Sequence, residues 1–458
     1  MNNPKLATVA VAIGLAAATL SVAPAASAHQ SSHDDHGSHS TKAGHHKSDH
    51  RGDHGKRDDH GKRHGNHHGN HHGYHHGSQA RQHVLASGLL SPLRAAIADN
   101  GTSYVSENFA GKIDRISRSG TKTTAYTDPN GFEVGGLSTA GRSVVFTVTQ
   151  SVGEGENLGS WLKVLTPSGQ ARTIADTHAY EAANNPDQGT TYGFRHIDPT
   201  CASKWPTATN GPATYTGAVD SHPYATYVLD NGWTLVADAG GNDVLLVTPN
   251  GRIRTVAVLP AIPFRITSQA ASGMGLDPCF VGTTYFFEPV PTDVELGNNG
   301  TIYVTSLPGG QPGPQLGARG SIFAINTHAN DNGRFRFRPS THHGDAGPAM
   351  FRARQVVRGL LTPTGLAVAP DGSMYVAQMF GNEISRVTLG NGHFRRHVGH
   401  GDMRHLGARV TTLLSTPTPG EVEWTPRGLY FTSNVLSGTP EDPNGSTTPN
   451  GQLIRYGR

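Results

Sequence analysis

Of the 458 residues only two are cysteine, four are tryptophan and six are methionine. Two cysteines allow one disulfide, not the dense framework that holds small secreted domains together. Charged residues make up 16% of the chain, and the formal net charge is +3 with histidine neutral. After the seven Lys/Arg and six Asp of residues 29–78 and Lys5 are set aside, 29 basic and 28 acidic residues remain. That balance offers no basic stripe and excludes nucleic acid as the expected partner. Beyond residue 23 no apolar run is long enough to span a bilayer. There is no Gly-x-Ser-x-Gly elbow, no His-Glu-x-x-His pair and no phosphate loop, which removes the commonest hydrolase and nucleotide-binding signatures. What abounds instead is glycine (58), proline (29) and histidine (27).

The histidines are not evenly spread. The chain opens with Lys5, an uncharged apolar stretch from Leu6 to Ala23, and Ala26-Ser27-Ala28 before His29. These features predict a cleaved secretory signal peptide over 1–28, an exported protein and no stable membrane anchor after cleavage. An uncleaved anchor is the alternative. Sixteen of the 27 histidines then fall between His29 and Ser78, among Gly, Asp, Lys, Arg, Ser and Asn. So little apolar surface cannot offset chain entropy, so residues 29–78 are expected to be disordered. The pairs His45-His46, His67-His68, His71-His72 and His75-His76 are candidate ligands for Zn²⁺, Ni²⁺ or Cu²⁺, because neutral imidazole suits those ions. A polar spacer is the competing reading.

From residue 79 the composition is that of a globular domain, and it repeats. A proline precedes a turn glycine by nine residues at Pro92–Gly101, Pro223–Gly232, Pro291–Gly300, Pro363–Gly372 and Pro419–Gly428. A sixth copy has Phe132 in the proline slot and Gly141 nine residues on. Turns such as Asp99-Asn100-Gly101 and Asp230-Asn231-Gly232 supply the positive φ that tight hairpins need. A Tyr-Val or Leu-Val strand follows each turn, then a third and usually a fourth strand. Four antiparallel strands, six times over, predict a six-bladed β-propeller spanning 79–458. A pair of long β-sheets is the structural alternative. The last copy lacks a fourth strand, and the spare strand Arg81–Ala86, with Val84 and Leu85 beside Gln452–Tyr456, is expected to supply it and close the ring.

At these residues the chain resembles the NHL-like and gluconolactonase-like propellers. More closely it resembles the ScyD/ScyE family of secreted propellers, named for scytonemin-biosynthesis gene clusters. The more specific segments are Glu181-Ala-Ala-Asn-Asn-Pro-Asp187, Asp220-Ser-His-Pro-Tyr224 and Ala237-Asp-Ala-Gly-Gly-Asn242. The resemblance implies a secreted six-bladed propeller and no established reaction. The histidine-rich segment lies outside the family pattern, as does His222, where Asn is more usual. The Glu-Gly-Pro and Pro-Asn-Gly contexts of gluconolactonases are absent.

Propellers place the connections between blades, and the loops between second and third strands, on one face. Here those are the long segments Gln150–Ser160, Asp176–His222, Pro260–Val290, Ser306–Gly320 and Ser433–Gln452. Long loops on a rigid scaffold are the expected binding surface. The candidate ligand-binding set there is Glu181, Asn185, Asp187, Asp220, His222, Tyr224, Asp238 and Asn242, an oxygen-rich group suited to Ca²⁺ or a hydroxylated ligand. Turn chemistry alone also explains Asn-Pro-Asp and Gly-Gly-Asn. Period-two alternation along the innermost strands puts Arg94, Asp293, Glu295, Glu421 and Glu423 on the axis side, as candidate lining of an acidic channel in which Arg94 can pair with Glu421.

Cys201 and Cys279 lie in neighbouring inter-blade connections on that face, so a disulfide is expected between them, tying loops of little regular structure. Two unbridged thiols are the alternative. The reading that follows is a monomeric, secreted, non-catalytic propeller that requires no cofactor and binds a small ligand or protein partner through its loop face. Two alternatives remain open: a metal-dependent lactonase or other hydrolase of gluconolactonase type, and an extracellular metal-buffering protein.

Overall fold

The computed structural model describes residues 80–152, 156–309, 316–327, 350–390 and 407–457. The expected signal peptide and the histidine pairs His45–His46, His67–His68, His71–His72 and His75–His76 lie outside them.

The body is a β-propeller. Each repeat read from the sequence becomes a four-stranded antiparallel sheet, and the six turn glycines adopt φ between 61° and 126°. Blade one holds Arg94–Ile97, Ser103–Glu107, Lys112–Ile116 and Lys122–Thr127, and blade two holds Glu133–Ala140, Ser143–Val152, Glu156–Leu165 and Ala171–Asp176. Blade three holds Pro223–Val228, Thr234–Asp238, Asp243–Val247 and Ile253–Val258. Blade four holds Pro291–Leu296, Thr301–Ser306, Gly320–Asn326 and Ala353–Leu360, and blade five holds Pro363–Val368, Met374–Gln378, Glu383–Thr388 and Arg409–Ser415. Blade six holds Val422–Thr425, Gly428–Ser433 and Gly451–Gly457, and takes its outer strand from Arg81–Leu89, with Arg81 opposite Gly457 and Val84 opposite Ile454.

The first strands of the six sheets adjoin in cyclic order, and each neighbouring pair of blades shares one apolar cluster. Leu137 and Phe146 pack with Ala96 and Ile113 between blades one and two, and Val294, Ile302 and Phe323 pack with Leu235 and Leu246 between three and four. Leu89 and Leu453 pack with Val105 and Ile116 between six and one. This is why the strands alternate as they do: one sheet face presses on the preceding blade and the other on the next. Each large aliphatic side chain so buried contributes roughly 1.5–3 kcal/mol.

The long connections depart from expectation. The loops bearing the cysteines are not irregular: they build a further four-stranded sheet. Its order is Thr214–Thr216, Thr191–Phe194, Thr284–Phe287, Ile262–Arg265, so strands from the connections before and after blade three pair with each other. Beneath it Phe194, Trp205, Phe280 and Tyr285 form an aromatic cluster of edge and stacked contacts at 5.1–5.5 Å between ring centroids. Cys201 and Cys279 are joined by the expected disulfide, with Cα atoms 5.8 Å apart. The sequence missed this sheet because its strands are only three or four residues long and interrupted by Gly193 and Pro263. A disulfide fits an oxidising compartment. Among the described residues no helix is long and apolar enough to cross a membrane.

Candidate functional site

Two groups of buried polar side chains stand out, one on the axis and one over blade three.

On the axis, the Arg94 side chain is 1% exposed. Its guanidinium meets Glu421 at 2.6 Å and Asp293 at 3.2 Å, donates to the Thr364 carbonyl at 2.8 Å and to that of Thr292, and lies 4.2 Å from the Tyr224 ring centre. Burial works against the charged guanidinium, but Glu421 and Asp293 outweigh it and raise the Arg94 pKa. Gly365 makes room for Glu421, since a Cβ there would stand 2.7 Å from Glu421 Oε1. Around Tyr224, Leu93, Ala239, Val290, Leu307, Met379 and Val435 close the loop-face end with apolar contacts. Two residues further along their strands, Glu295 and Glu423 are half-buried. Burial and the Asp293 charge push Glu423 up to about 8, and Arg94 only partly opposes this. The five candidates are therefore divided: Arg94, Asp293 and Glu421 form an ion-paired plug rather than a solvated lining, and only Glu295 and Glu423 keep partial exposure.

Beside the plug, His222 Nε2 lies 3.1 Å from Glu133 Oε2, and the imidazole is edge-on to Tyr224 at 6.3 Å. Burial lowers the His222 pKa, but Glu133, Asp220 and Asp238 raise it to about 9. Burial would raise Glu133, but the His222 charge and hydrogen bond hold it below its ordinary value.

Over blade three, helix α1 (Thr177–Asn184) is started by the Asp176 side chain accepting from Ala179 N at 2.8 Å and stopped by Asn185 at φ 35°. It carries Glu181, 2% exposed, above the loop that joins Asp238 to Asp243. Asp238 is held by local donors: His222 N at 2.7 Å, Ser221 Oγ at 2.6 Å, and the Gly240 and Gly241 amides at 3.2 Å. Asp187 Oδ2 accepts from Tyr192 OH at 2.9 Å and Asn242 Nδ2 at 3.0 Å, while Asn242 Oδ1 accepts from Val290 N at 3.1 Å. Asp220 Oδ1 accepts from Asn157 Nδ2 at 2.8 Å.

Other oxygens have no such partner. Glu181 Oε1, Asp187 Oδ1 and Asn185 Oδ1 are buried without a hydrogen bond, and the two buried oxygens of Asp243 have only the Thr255 hydroxyl beside them. Burial, then the charges of Asp238, Asp187 and Asp220, push Glu181 up to about 9. Burial, then Asp238 and Glu181, raise Asp243 well above its ordinary range. Burial and Asp187 lift Glu288 to about 7.

Of the eight loop-face candidates, Glu181, Asn185, Asp187, Asp220, Asp238 and Asn242 come together here, while His222 and Tyr224 turn their side chains to the axis. Asn185 and Asn242, at φ 35° and 55°, serve the turns and the polar network at once. Sequence reasoning missed Asp243, Glu288 and Glu133. Asp243 heads an otherwise apolar strand in register with Asp238, and Glu288 is the one carboxylate in a Tyr-Phe-Phe run. Both oddities were readable signals.

No family model matches the chain, and no curated protein does. Among solved structures, it is similar to a putative oxidoreductase (glucose dehydrogenase) from Thermus thermophilus at 17% identity, over 82% of this chain and 99% of that one, with a TM-score of 0.45. The PQQ-bound aldose sugar dehydrogenase of Streptomyces coelicolor is similar at 13% identity, over 82% and 98%, TM-score 0.44. A gluconolactonase from Xanthomonas campestris is similar at 11% identity, over 82% and 90%, TM-score 0.44. The sheet topology, not these scores, identifies the propeller, and no residue role passes from these proteins to this chain.

Proposed function

We propose that this protein is an exported, monomeric, non-catalytic propeller of ScyD/ScyE type that binds a ligand or protein partner through its loop face. Its signal peptide would deliver it outside the cytoplasm, and its histidine-rich segment would chelate Zn²⁺, Ni²⁺ or Cu²⁺. The observation that carries the reading is where apolar surface is left uncovered. Nine large hydrophobic side chains among the described residues are exposed, and all but Val84 and Val410 lie on the loop face, Phe109, Leu158, Val219 and Leu361 among them. Apolar side chains left exposed on the long-loop face supply the apolar part that a contact surface needs. The test is capture from spent culture medium on immobilised protein, compared with a Phe109→Ser/Leu158→Ser/Leu361→Ser variant of unchanged melting temperature. A species retained by the wild type and lost by the variant supports the reading; equal retention by both ends it.

One observation favours a hydrolase of lactonase type: the buried His222–Glu133 pair beside the Tyr224 hydroxyl, which has no hydrogen-bond partner. Saturable turnover of a lactone panel, abolished by His222→Asn or by EDTA and restored by one metal, would establish that activity in place of the binding role.

A further inference from the structure

The carboxylates over blade three converge on a small space. A Cβ added at Gly241 would stand 3.3 Å from Glu181 Oε2, 3.4 Å from Asp243 Oδ1 and 3.6 Å from Asp238 Cγ. Three carboxyl groups thus wall one of the two positions where this loop has no side chain. Asp238 is satisfied by its own loop, but Asp243 is 0% exposed with no more than one neutral hydroxyl for its two oxygens, and Glu181 is 2% exposed with Oε1 unpaired. Tyr180 OH accepts from Thr255 N at 3.1 Å and contacts the Thr255 hydroxyl at 3.0 Å, so the neutral Thr255 hydroxyl remains a donor beside Asp243; it opposes the rise in the Asp243 pKa but brings no positive charge. No Lys or Arg among the described residues forms an ion pair with Glu181 or Asp243. Leaving a buried acceptor unmade costs about 1–3 kcal/mol, and more for a charged one. Two such groups facing one another call for something positive between them.

We propose that the space over Gly241 is a site for a hard divalent cation of the Ca²⁺ type, with Glu181 and Asp243 as its charged ligands. No three His, Cys, Asp or Glu side chains among the described residues form a ready ligating set. A tetrahedral ion such as Zn²⁺ would need one. A hard ion does not: two carboxylates suffice where amide oxygens, backbone carbonyls and water complete a shell of six to eight. The donors present are all oxygen, which suits the same choice. The bound ion would pin α1 to the Asp238–Asp243 loop, and through the Asn185 side chain, which donates to the Gly217 carbonyl at 3.1 Å, to the connection entering blade three. Gly241 is then required because a methyl group would occupy the ion's place.

The experiment uses the full-length protein, stripped with EDTA and titrated calorimetrically with CaCl₂, beside Asp243→Asn and Glu181→Gln. The wild type should bind one equivalent and melt at a higher temperature with Ca²⁺. Each variant should bind at least about tenfold more weakly, as expected for loss of a charged ligand. Without Ca²⁺ each variant should melt no lower than the stripped wild type, because an amide removes the cost of holding two buried carboxyl groups together, whether they repel or take up protons, so loss of folding cannot imitate loss of the site. The histidine-rich segment is present in all three proteins, so any Ca²⁺ it takes up cancels. Equal Ca²⁺ gains in wild type and variants, or no gain in the wild type at 10 mM (about the weak end of extracellular Ca²⁺ sites and beyond), would overturn the proposal.

Discussion

Asp293 and Glu421 on the axis and Glu181 and Asp243 over blade three are the same chemistry in the same degree of burial, yet they are neutralised differently. The axis carries its own cation, Arg94, with both carboxylates and two carbonyls around it. The pair over blade three has none among the described residues. The difference follows from where each group sits. Axis residues come from rigid inner strands of blades one, four and six, so a guanidinium on one strand reaches its partners at fixed distance. Glu181 arrives on a short helix in an inter-blade connection, where a small ion can serve as the counter-charge and be taken up or lost.

The sharpest way to break this contrast is to remove the cation that the chain supplies itself. Arg94→Met should destabilise the protein by about 3–5 kcal/mol, since it strands buried carboxylates without a partner, read as a fall in Tm by calorimetry. Arg94→Met/Glu421→Gln should recover part of that loss; a double variant as unstable as the single one would mean the pair does not set the cost.

Cutting the disulfide tests whether the loop region depends on its own supports. The bridge spans 78 residues, so the chain-entropy model allows up to about 4.5 kcal/mol, less any native strain. Cys201→Ser/Cys279→Ser should speed limited proteolysis within residues 180–220 and 262–288 well before the blades are cut. Cleavage in the blades first would place the bridge's effect in the propeller instead.

The smallest expected effect belongs to His222 and Glu133. A histidine raised from 6.5 to about 9 adds stability below pH 6.5 and loses it as pH rises through 9. Glu133, held below 4.5, adds stability above that value and loses it on acidification. The pair thus contributes most between about pH 4.5 and 6.5. His222→Asn should lower stability there by roughly 1.5–3 kcal/mol, the range for a charged hydrogen bond, and the deficit should shrink toward pH 9. A deficit constant from pH 5 to 9 would show that packing, not charge, is lost.

How much of this was legible depended on periodicity. The nine-residue spacing from Pro92 to Gly101 and its copies announced six hairpins because each obeys the same turn geometry. The expected strand Arg81–Ala86 extends to Leu89 and pairs with Gly451–Gly457. Short strands such as Thr214–Thr216 carry too few residues for alternation to show. The axis pair Arg94–Glu421 was readable from period two alone, because two neighbouring inner strands fix it. Asp243 shows in the sequence as the one charge in an apolar strand, but its partner does not, because Glu181 lies 62 residues earlier on another element.

The sheet that straddles blade three also has a cost in chain entropy. Phe194 and Tyr285, opposite one another in its central pair, are separated in the chain by the whole of that blade. Closing so long a loop before anything rewards it is entropically slow. Formation of blade three brings the straddling strands and the two cysteines together and so removes most of that entropic cost. The bridge acts as a latch on that blade: it keeps the two flanking connections from parting when the blade between them breathes.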